Sequence, residues 1–130
     1  MARICIDLDG VICNFKKGNE TYADISPILG AMEKLKELRA NGHYIIIQTA
    51  RHMKTCNGNV GMVVSRIGQI TLKWLSDHKI EYDEIYFGKP WAEIYIDDNA
   101  LRFNNWDEIA GDGGNIPRST ESQKADKSEI

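Results

Sequence analysis

The sequence predicts one α/β domain in which a parallel sheet is wound on both sides by helices, giving three layers. Short apolar runs of strand-forming residues alternate with segments of helical periodicity, which is the pattern of consecutive βαβ units. One of these runs, residues 44–48, is apolar almost throughout, as strands buried on both faces are. A chain of 130 residues that is 42% hydrophobic and 27% charged suits one domain with its own core. We therefore predict a doubly wound, Rossmann-like domain at residues 1–117, followed by a disordered polar tail at residues 118–130.

The first predicted strand ends in two carboxylates. Residues 3–8 are mostly apolar, and Asp7 and Asp9 stand two positions apart before Gly10. In an extended strand that spacing puts both side chains on one face, and the glycine then lets the backbone turn away. Because open α/β sheets bind ligands at the carboxyl ends of their strands, both aspartates are candidate functional residues. Taken alone, the pair is explained equally well as an acidic Asp-Gly turn leading into a polar flap at residues 14–24.

A helix and a second strand are predicted after the flap. Ser26 is a suitable N-cap, and Pro27 is a suitable first helical residue. The apolar stripe of this helix consists of Ile28, Leu29, Met32, Leu35 and Leu38. The strand that follows ends in Thr49, and a right-handed crossover brings the ends of both parallel strands to one edge. We therefore expect Asp7, Asp9 and Thr49 to be neighbours.

The rest of the chain predicts a second crossover and a fourth strand. The predicted elements are a loop at 52–64, a helix at 65–78, strands at 84–87 and 93–96, and short helices ending at 103 and spanning 106–110. The inward side of the longer helix consists of Ile67, Ile70, Thr71, Trp74 and Leu75. Lys89 lies in the turn after the third strand, and the fourth strand ends in Asp97 and Asp98. The loop is long for a compact domain, so it is either functional or a loose surface connection.

Charge and apolar content argue against several classes of function. A net charge of −3 and a pI of about 5.6 argue against nucleic-acid binding by bulk attraction. No apolar run approaches the ~20 residues of a membrane span and no signal peptide opens the chain, so we expect a cytoplasmic protein without a membrane partner. Cys5, Cys13 and Cys56 have no metal-type spacing and are expected to be reduced thiols, with Cys5 in the core.

Polar side chains follow the predicted strands at one edge of the sheet. They are Asp7 and Asp9, Thr49, Lys89, and Asp97 with Asp98. Each has an ordinary structural explanation when taken singly, such as a helix cap or a solvated lysine. Together they bring carboxylate, hydroxyl and ammonium groups to one place. Carboxylate oxygens suit Mg²⁺, and hydroxyl and ammonium groups suit a phosphate.

These motifs resemble the four motifs of the haloacid dehalogenase-like phosphohydrolase superfamily. The matching segments are residues 7–11, residues 45–49, Lys89 and residues 96–98, in the same order. The resemblance covers residues 4 to about 103. Residues 49–55, 59–61 and 82–91 also resemble the small phosphatases encoded with bacterial capsule and surface-polysaccharide genes. The resemblance implies a Mg²⁺-dependent phosphatase whose partner is a small phosphorylated substrate, a sugar phosphate of surface-polysaccharide biosynthesis.

The resemblance also implies catalytic roles. Asp7 would be the nucleophile and would form an aspartyl-phosphate. Asp9 would protonate the leaving oxygen and then deprotonate the attacking water. Thr49 and Lys89 would hold the phosphoryl oxygens. We also assign Ala50 and Arg51 to phosphate binding, because an arginine can grip a phosphate or a sugar carboxylate with two donors. A structural salt bridge explains Arg51 equally well.

A metal site and a strand order are implied in the same way. Mg²⁺ would be bound by Asp7, the main-chain carbonyl of Asp9, and Asp97, with Asp98 supporting directly or through water. The strand that carries Asp7 would be central, flanked by the strands that end at Thr49 and Asp97. A structure in which the carboxylates of Asp7 and Asp97 lie too far apart to share one metal would contradict the whole interpretation.

The intervals between the motifs leave no room for a cap domain, so the resemblance implies a capless member with an open site. An open site would admit bulky substrates unless a homo-oligomer or the loop at residues 52–64 closes it. That loop starts beside Arg51 and is rich in donors and glycines, so we predict that it selects the substrate. The alternative is that it packs on a neighbouring subunit.

Other functions stay open at this point. A nucleotide phosphatase or a phosphomutase would use the same motifs. A receiver-type signalling domain also combines acidic residues with a threonine and a lysine, but it needs an aspartate at the end of its third strand, where this chain has Gly88. A binding domain with a decayed site would lack catalytic residues that are all present here.

Overall fold

Parallel strands and helices alternate along the chain in the computed structural model, which describes residues 1–117. The strands are β1 (Arg3–Asp7), β2 (Tyr44–Thr49) and β3 (Glu84–Phe87), and the helices are α1 (Ala31–Ala40) and α2 (Val60–Asp77). The chain is therefore an α/β protein with a parallel sheet, as predicted. None of the helices in this part of the chain is long and apolar enough to cross a membrane. The tail predicted at residues 118–130 lies outside the described residues.

Strand β2 lies in the middle of the sheet, between β1 and β3. Arg3 pairs with Tyr44 and Asp7 with Gln48, so β1 and β2 run in register from end to end. The prediction that β1 is central is wrong, because residues 93–96 form no strand beside it. A strand order without reversal puts both helices on one face when the crossovers are right-handed. The three-layer, doubly wound arrangement therefore stays a prediction.

The core lies between the helices and one face of the sheet. Every second residue of β2 is buried, and these side chains join residues of both helices in one cluster. The cluster includes Ile6, Ile45, Ile47, Leu35, Leu38, Trp74 and Leu75. Burying a side chain of this kind contributes roughly 1.5–3 kcal/mol. Cys5, which was predicted in the core, is exposed because it alternates with Ile4 and Ile6 and points to the other face of β1.

Helix α1 begins later than predicted, because the chain before it pairs with the segment that follows β1. The Asn14 N–H donates to the Ser26 carbonyl at 3.0 Å, within an antiparallel contact that includes residues 26–28. That pairing keeps Ser26 out of the N-cap position predicted for it. Leu29 and Met32, which belong to the predicted apolar stripe, are exposed.

Helix α2 begins earlier than predicted, because Asn59 caps it. The Asn59 side chain accepts a hydrogen bond from the Met62 N–H at 3.2 Å. The loop predicted at residues 52–64 is therefore shortened to the turns that precede Asn59. Four residues of the predicted inward side are buried, namely Ile67, Thr71, Trp74 and Leu75.

The chain after β3 contains neither the predicted fourth strand nor the helix predicted to end at residue 103. Ile94 and Ile96 are 72% and 95% exposed, so this segment does not extend the sheet. A short 3₁₀ helix at Trp106–Glu108 lies where a helix at residues 106–110 was predicted. Trp106 is buried there, and its indole N–H donates to the Val11 carbonyl at 2.8 Å. This contact ties the end of the described chain to the turn after β1.

Candidate active site

A cleft of about 400 Å³ opens at the carboxyl ends of the strands. Its lining includes five residues predicted as functional, namely Asp7, Asp9, Ala50, Arg51 and Lys89. The Lys89 N–H donates to the Thr49 carbonyl at 3.1 Å, which holds the turn after β3 beside the end of β2. A second hollow of about 450 Å³ lies beside the flap and contains none of these residues. The parallel sheet therefore brings the first three predicted motifs together.

Asp7 faces Lys89 in the cleft. Asp7 Oδ2 is 3.3 Å from Lys89 Nζ, and Asp7 Oδ1 accepts the Leu8 N–H at 3.1 Å. Burial raises the pKa of the Asp7 carboxyl above its ordinary value; the ammonium group of Lys89 opposes this rise, and the charge of Asp9 adds to it. Asp7 is thus a partly buried carboxylate beside a cation, which is the setting that attack on an anionic group requires.

Asp9 is held by donors on both carboxylate oxygens. Arg51 Nε lies 3.0 Å from Asp9 Oδ1 and 3.1 Å from Oδ2. The Thr49 hydroxyl donates to Oδ2 at 3.1 Å and accepts the Arg51 N–H at 3.1 Å. Arg51 Nε and the Thr49 hydroxyl therefore donate to Asp9, whose carboxylate accepts from both, and the Arg51 N–H orients the Thr49 hydroxyl.

The other donors of Arg51 are also engaged. Nη1 donates to Thr71 Oγ1 at 3.0 Å and Nη2 to Cys13 Sγ at 3.4 Å, while the Tyr22 ring centroid lies 4.2 Å from the guanidinium carbon. Only 2% of the Arg51 side chain is exposed. In this arrangement Arg51 forms a structural salt bridge, which was the alternative to phosphate binding, and the hydroxyl of Thr49, which was predicted to bind phosphate, donates to Asp9.

Only part of the surroundings of Arg51 could be predicted from the sequence. Thr71 was predicted to face inward from its helix, which it does. Cys13 and Tyr22 carried no signal for a role at the site. Burial raises the pKa of the Cys13 thiol to about 12, so the thiol stays protonated at neutral pH and donates to Asp9 Oδ1 at 3.5 Å. Cys13 is therefore a supporting residue and not a nucleophile.

The four-carboxylate metal site predicted from the sequence is not assembled. Asp97 and Asp98 are exposed and do not line the cleft. Within residues 1–117, no three His, Cys, Asp or Glu side chains are grouped as a metal site would require. Asp7 and Asp9 are each paired with a cation already. The residues as arranged here do not fit Mg²⁺.

The segment that follows β3 explains why Asp97 and Asp98 do not join the cleft. The Tyr95 hydroxyl donates to the Pro90 carbonyl, and the Tyr95 ring centroid lies 4.1 Å from Lys89 Nζ. These local contacts hold the segment over the cleft, so it does not pair with the free edge of β1. Asp97 and Asp98, which follow it, are therefore not delivered to Asp7.

None of the residues 52–64 lines the cleft, but Lys54 from this loop places its Nζ 4.7 Å from the ring centroid of Trp91, which does line it. Substrate selection by the loop therefore stays a prediction. The walls are formed instead by the flap and by the segment after β3. They consist of Phe15, Lys16, Tyr22, Trp91, Ala92 and Tyr95. The only sequence signal for these walls was the position of the flap directly after the acidic strand, and that signal did not identify the aromatic residues.

Comparison with known proteins finds a relative of known structure. The chain matches the crystal structure of an MCSG target from Vibrio cholerae with 37% sequence identity and a TM-score of 0.73, over 83% of this chain and 86% of that chain. The chain belongs to the family of this Vibrio cholerae protein. No family model matches the chain, and no curated protein matches it. Membership of the Vibrio cholerae protein's family supports the α/β fold and assigns no activity.

Replacing Asp7 with Asn should make the folded protein more stable than the wild type at neutral pH. Burial raises the pKa of Asp7 above its ordinary value of 3.8, so the ionised carboxylate is less favourable in the folded state than in the unfolded chain. This cost is absent at pH values below the ordinary pKa, grows as the pH rises towards the folded pKa, and is complete above it. Urea denaturation in EDTA at several pH values measures the difference.

Asp77→Asn is the matched control for this experiment, because Asp77 forms an exposed ion pair with Lys73 on the surface of α2. It should show no gain in the free energy of unfolding as the pH rises. A wild type that is more stable than Asp7→Asn at neutral pH would contradict the raised pKa.

Replacing Arg51 with Ala should lower the free energy of unfolding by about 3–5 kcal/mol, because Asp9 would lose the buried guanidinium that pairs with it. Arg51→Lys should recover part of the loss, since lysine keeps the charge but cannot reach Asp9, Thr71 and Cys13 together. Arg39→Ala is the control, because its ion pairs are partly exposed. It should cost no more than about 1 kcal/mol. Urea denaturation giving equal losses for Arg51→Ala and Arg39→Ala would rule out this role of Arg51.

Proposed function

We propose that the protein hydrolyses phosphomonoesters in this cleft, with Asp7 as the nucleophile. The observation that carries the proposal is the different setting of the two aspartates. Asp7 faces the cleft beside Lys89, whereas Asp9 is fixed next to it by Arg51 and Thr49. The haloacid dehalogenase-like pattern noted in the sequence predicts this division between nucleophile and acid/base. The proposal rests on three of the four motifs, because the fourth does not join the cleft.

In the first step, a carboxylate oxygen of Asp7 attacks phosphorus, and the bond from phosphorus to the leaving oxygen breaks. Asp9 enters this step with its carboxyl group protonated and gives that proton to the leaving oxygen, while Asp7 becomes an aspartyl-phosphate. Two like charges ~4 Å apart repel by about 4 kcal/mol at an effective dielectric constant of about 20. Lys89, 3.3 Å from Asp7, is placed to offset this repulsion.

In the second step, water attacks the phosphorus of the aspartyl-phosphate and gives a proton to Asp9. The bond from phosphorus to Asp7 breaks, so inorganic phosphate leaves and both aspartates return to their starting states. The hydrogen bonds that Asp9 accepts from Arg51 and Thr49 support this role, since they orient a carboxylate that has to accept a proton.

The same proposal includes a cofactor, a class of substrate and a three-layer arrangement of the domain. Resemblance supports Mg²⁺ dependence, but the residues as arranged here do not form its site, so no step is assigned to the metal. Resemblance also supports a small sugar phosphate of surface-polysaccharide biosynthesis as the substrate, in the cytoplasm, on a capless three-layer domain. A nucleoside monophosphate is the main alternative, and a screen of sugar phosphates and nucleotides separates the two.

Asp7→Asn should abolish hydrolysis of p-nitrophenyl phosphate, because the amide has the shape of the carboxylate without its nucleophilic charge. Asp9→Asn should lower kcat by about 10²–10⁴-fold, which is the usual contribution of general acid–base catalysis. Assays with Mg²⁺ and with EDTA test the metal requirement of the wild type. Asp77→Asn serves as the surface control, and circular dichroism checks the fold of each variant. Wild-type activity in Asp7→Asn would show that the nucleophile is assigned wrongly.

A further inference from the structure

Beyond the two aspartates, the cleft is bounded by exposed aromatic rings. Phe15 comes from the flap, and Trp91 and Tyr95 come from the segment after β3. They are 71%, 55% and 47% exposed, although all three line the same concave surface. Large apolar side chains gathered around a cavity are typical of ligand sites, whereas exposed apolar residues elsewhere are usually scattered singly.

Two contacts connect these rings to the reactive end of the cleft. The Tyr95 ring centroid lies 4.1 Å from Lys89 Nζ, the ammonium group that pairs with Asp7. The Phe15 ring covers Gly10, since a Cβ placed on Gly10 would come within 2.6 Å of Phe15 Cζ. A phosphate bound at Lys89 would therefore present its leaving group to these rings.

Ammonium groups accompany the rings. Lys54 Nζ lies 4.7 Å from the Trp91 ring centroid. Lys16 lines the cleft and donates to the Glu20 carbonyl at 3.3 Å, and in the described part of the chain it forms no salt bridge. The ammonium groups of Lys54 and Lys89 lie over one face of the Trp91 ring and of the Tyr95 ring, respectively. A ligand ring would contact the remaining apolar surface of these rings, and its oxygen acceptors would meet the ammonium groups.

We propose that Phe15, Trp91 and Tyr95 form a ring-binding subsite, which selects phosphate esters whose leaving group contains a ring. The ring stacks on the aromatic side chains while its phosphate is bound by Lys89 next to Asp7. This inference rests on the proposed function for the phosphate end. Sugar rings and nucleobases share the stacking chemistry, and the binding experiment distinguishes them.

Binding is measured by calorimetry on Asp7→Asn, which cannot turn the ligand over. The probes are glucose 1-phosphate, adenosine monophosphate and inorganic phosphate. At least one ring compound should bind about tenfold more tightly than inorganic phosphate, as expected for stacking on aromatic side chains. The tighter of the two identifies the kind of ring. Equal affinity for all three probes would overturn the subsite.

Tryptophan fluorescence places the ligand, because Trp74 and Trp106 are buried and Trp91 is the exposed tryptophan. The preferred ring phosphate should change the emission of Asp7→Asn. A second replacement, Trp91→Phe, should remove this change while calorimetry still detects binding, since phenylalanine keeps an aromatic face. If the second replacement is Trp91→Leu, the ring phosphate should lose its tenfold higher affinity relative to inorganic phosphate. Retention of that advantage in the leucine variant would also overturn the subsite.

Kinetics provides the matched comparison in the active protein. The measured quantity is the ratio of kcat/KM for p-nitrophenyl phosphate to that for glycerol phosphate, which has no ring. Trp91→Leu should lower this ratio about tenfold, and Trp91→Phe should restore most of it. Tyr86→Leu is the control, because Tyr86 is also 55% exposed but lies on β3 outside the cleft. It should leave the ratio unchanged, and an equal fall in both leucine variants would contradict the proposal.

Failure of the subsite and failure of the proposed function give different results. If the wild type hydrolysed esters with and without a ring at the same kcat/KM, the proposed subsite would be wrong and the proposed phosphatase activity would stand. If ring phosphates bound tightly through Trp91 but the wild type hydrolysed no ester, the subsite would stand and the proposed phosphatase activity would be wrong.

Discussion

The parallel pairing of β1 with β2 is the constraint on which the site depends. Its register places Asp7 opposite Gln48, so that Thr49 and Arg51 leave β2 beside Asp9. The buried alternate residues of β2 fix this register, because a slip of one position would turn them out of the core and turn the polar strand ends inward. Core packing and the position of the candidate nucleophile are therefore consequences of the same pairing.

The two aspartates at the end of β1 differ because their neighbours differ. Asp9 has a buried guanidinium against both of its oxygens, and that guanidinium is itself held by α2, by the turn after β1 and by the flap. Asp7 has one partly buried lysine, and burial makes its charge costly in the folded state. A carboxyl group whose charge is costly in the folded state is typical of functional sites, where activity and stability compete.

Much of the fold and part of the site could be predicted from the sequence. The three strands and the inward side of α2 follow from apolar runs and helical spacing, which are local patterns. The starts of both helices were misplaced, because the pairing of Ser26 with Asn14 overrides a good cap signal and Asn59 supplies another. Long-range contacts decide these cases. The same is true of Arg51, whose partners come from three separate segments. The segment after β3 differs, because local contacts between Tyr95 and residues 89–90 hold it at the cleft although its apolar pattern predicts a strand.

The central claim is that Asp7, rather than its neighbour Asp9, receives the phosphoryl group. Mass spectrometry of peptides from a rapidly quenched reaction with p-nitrophenyl phosphate tests this directly, with fragmentation to separate the two positions. The account predicts one added phosphoryl group on Asp7, present in Asp9→Asn and absent in Asp7→Asn. A phosphoryl group on Asp9, or on a cysteine or histidine while Asp7 is unmodified, would contradict it.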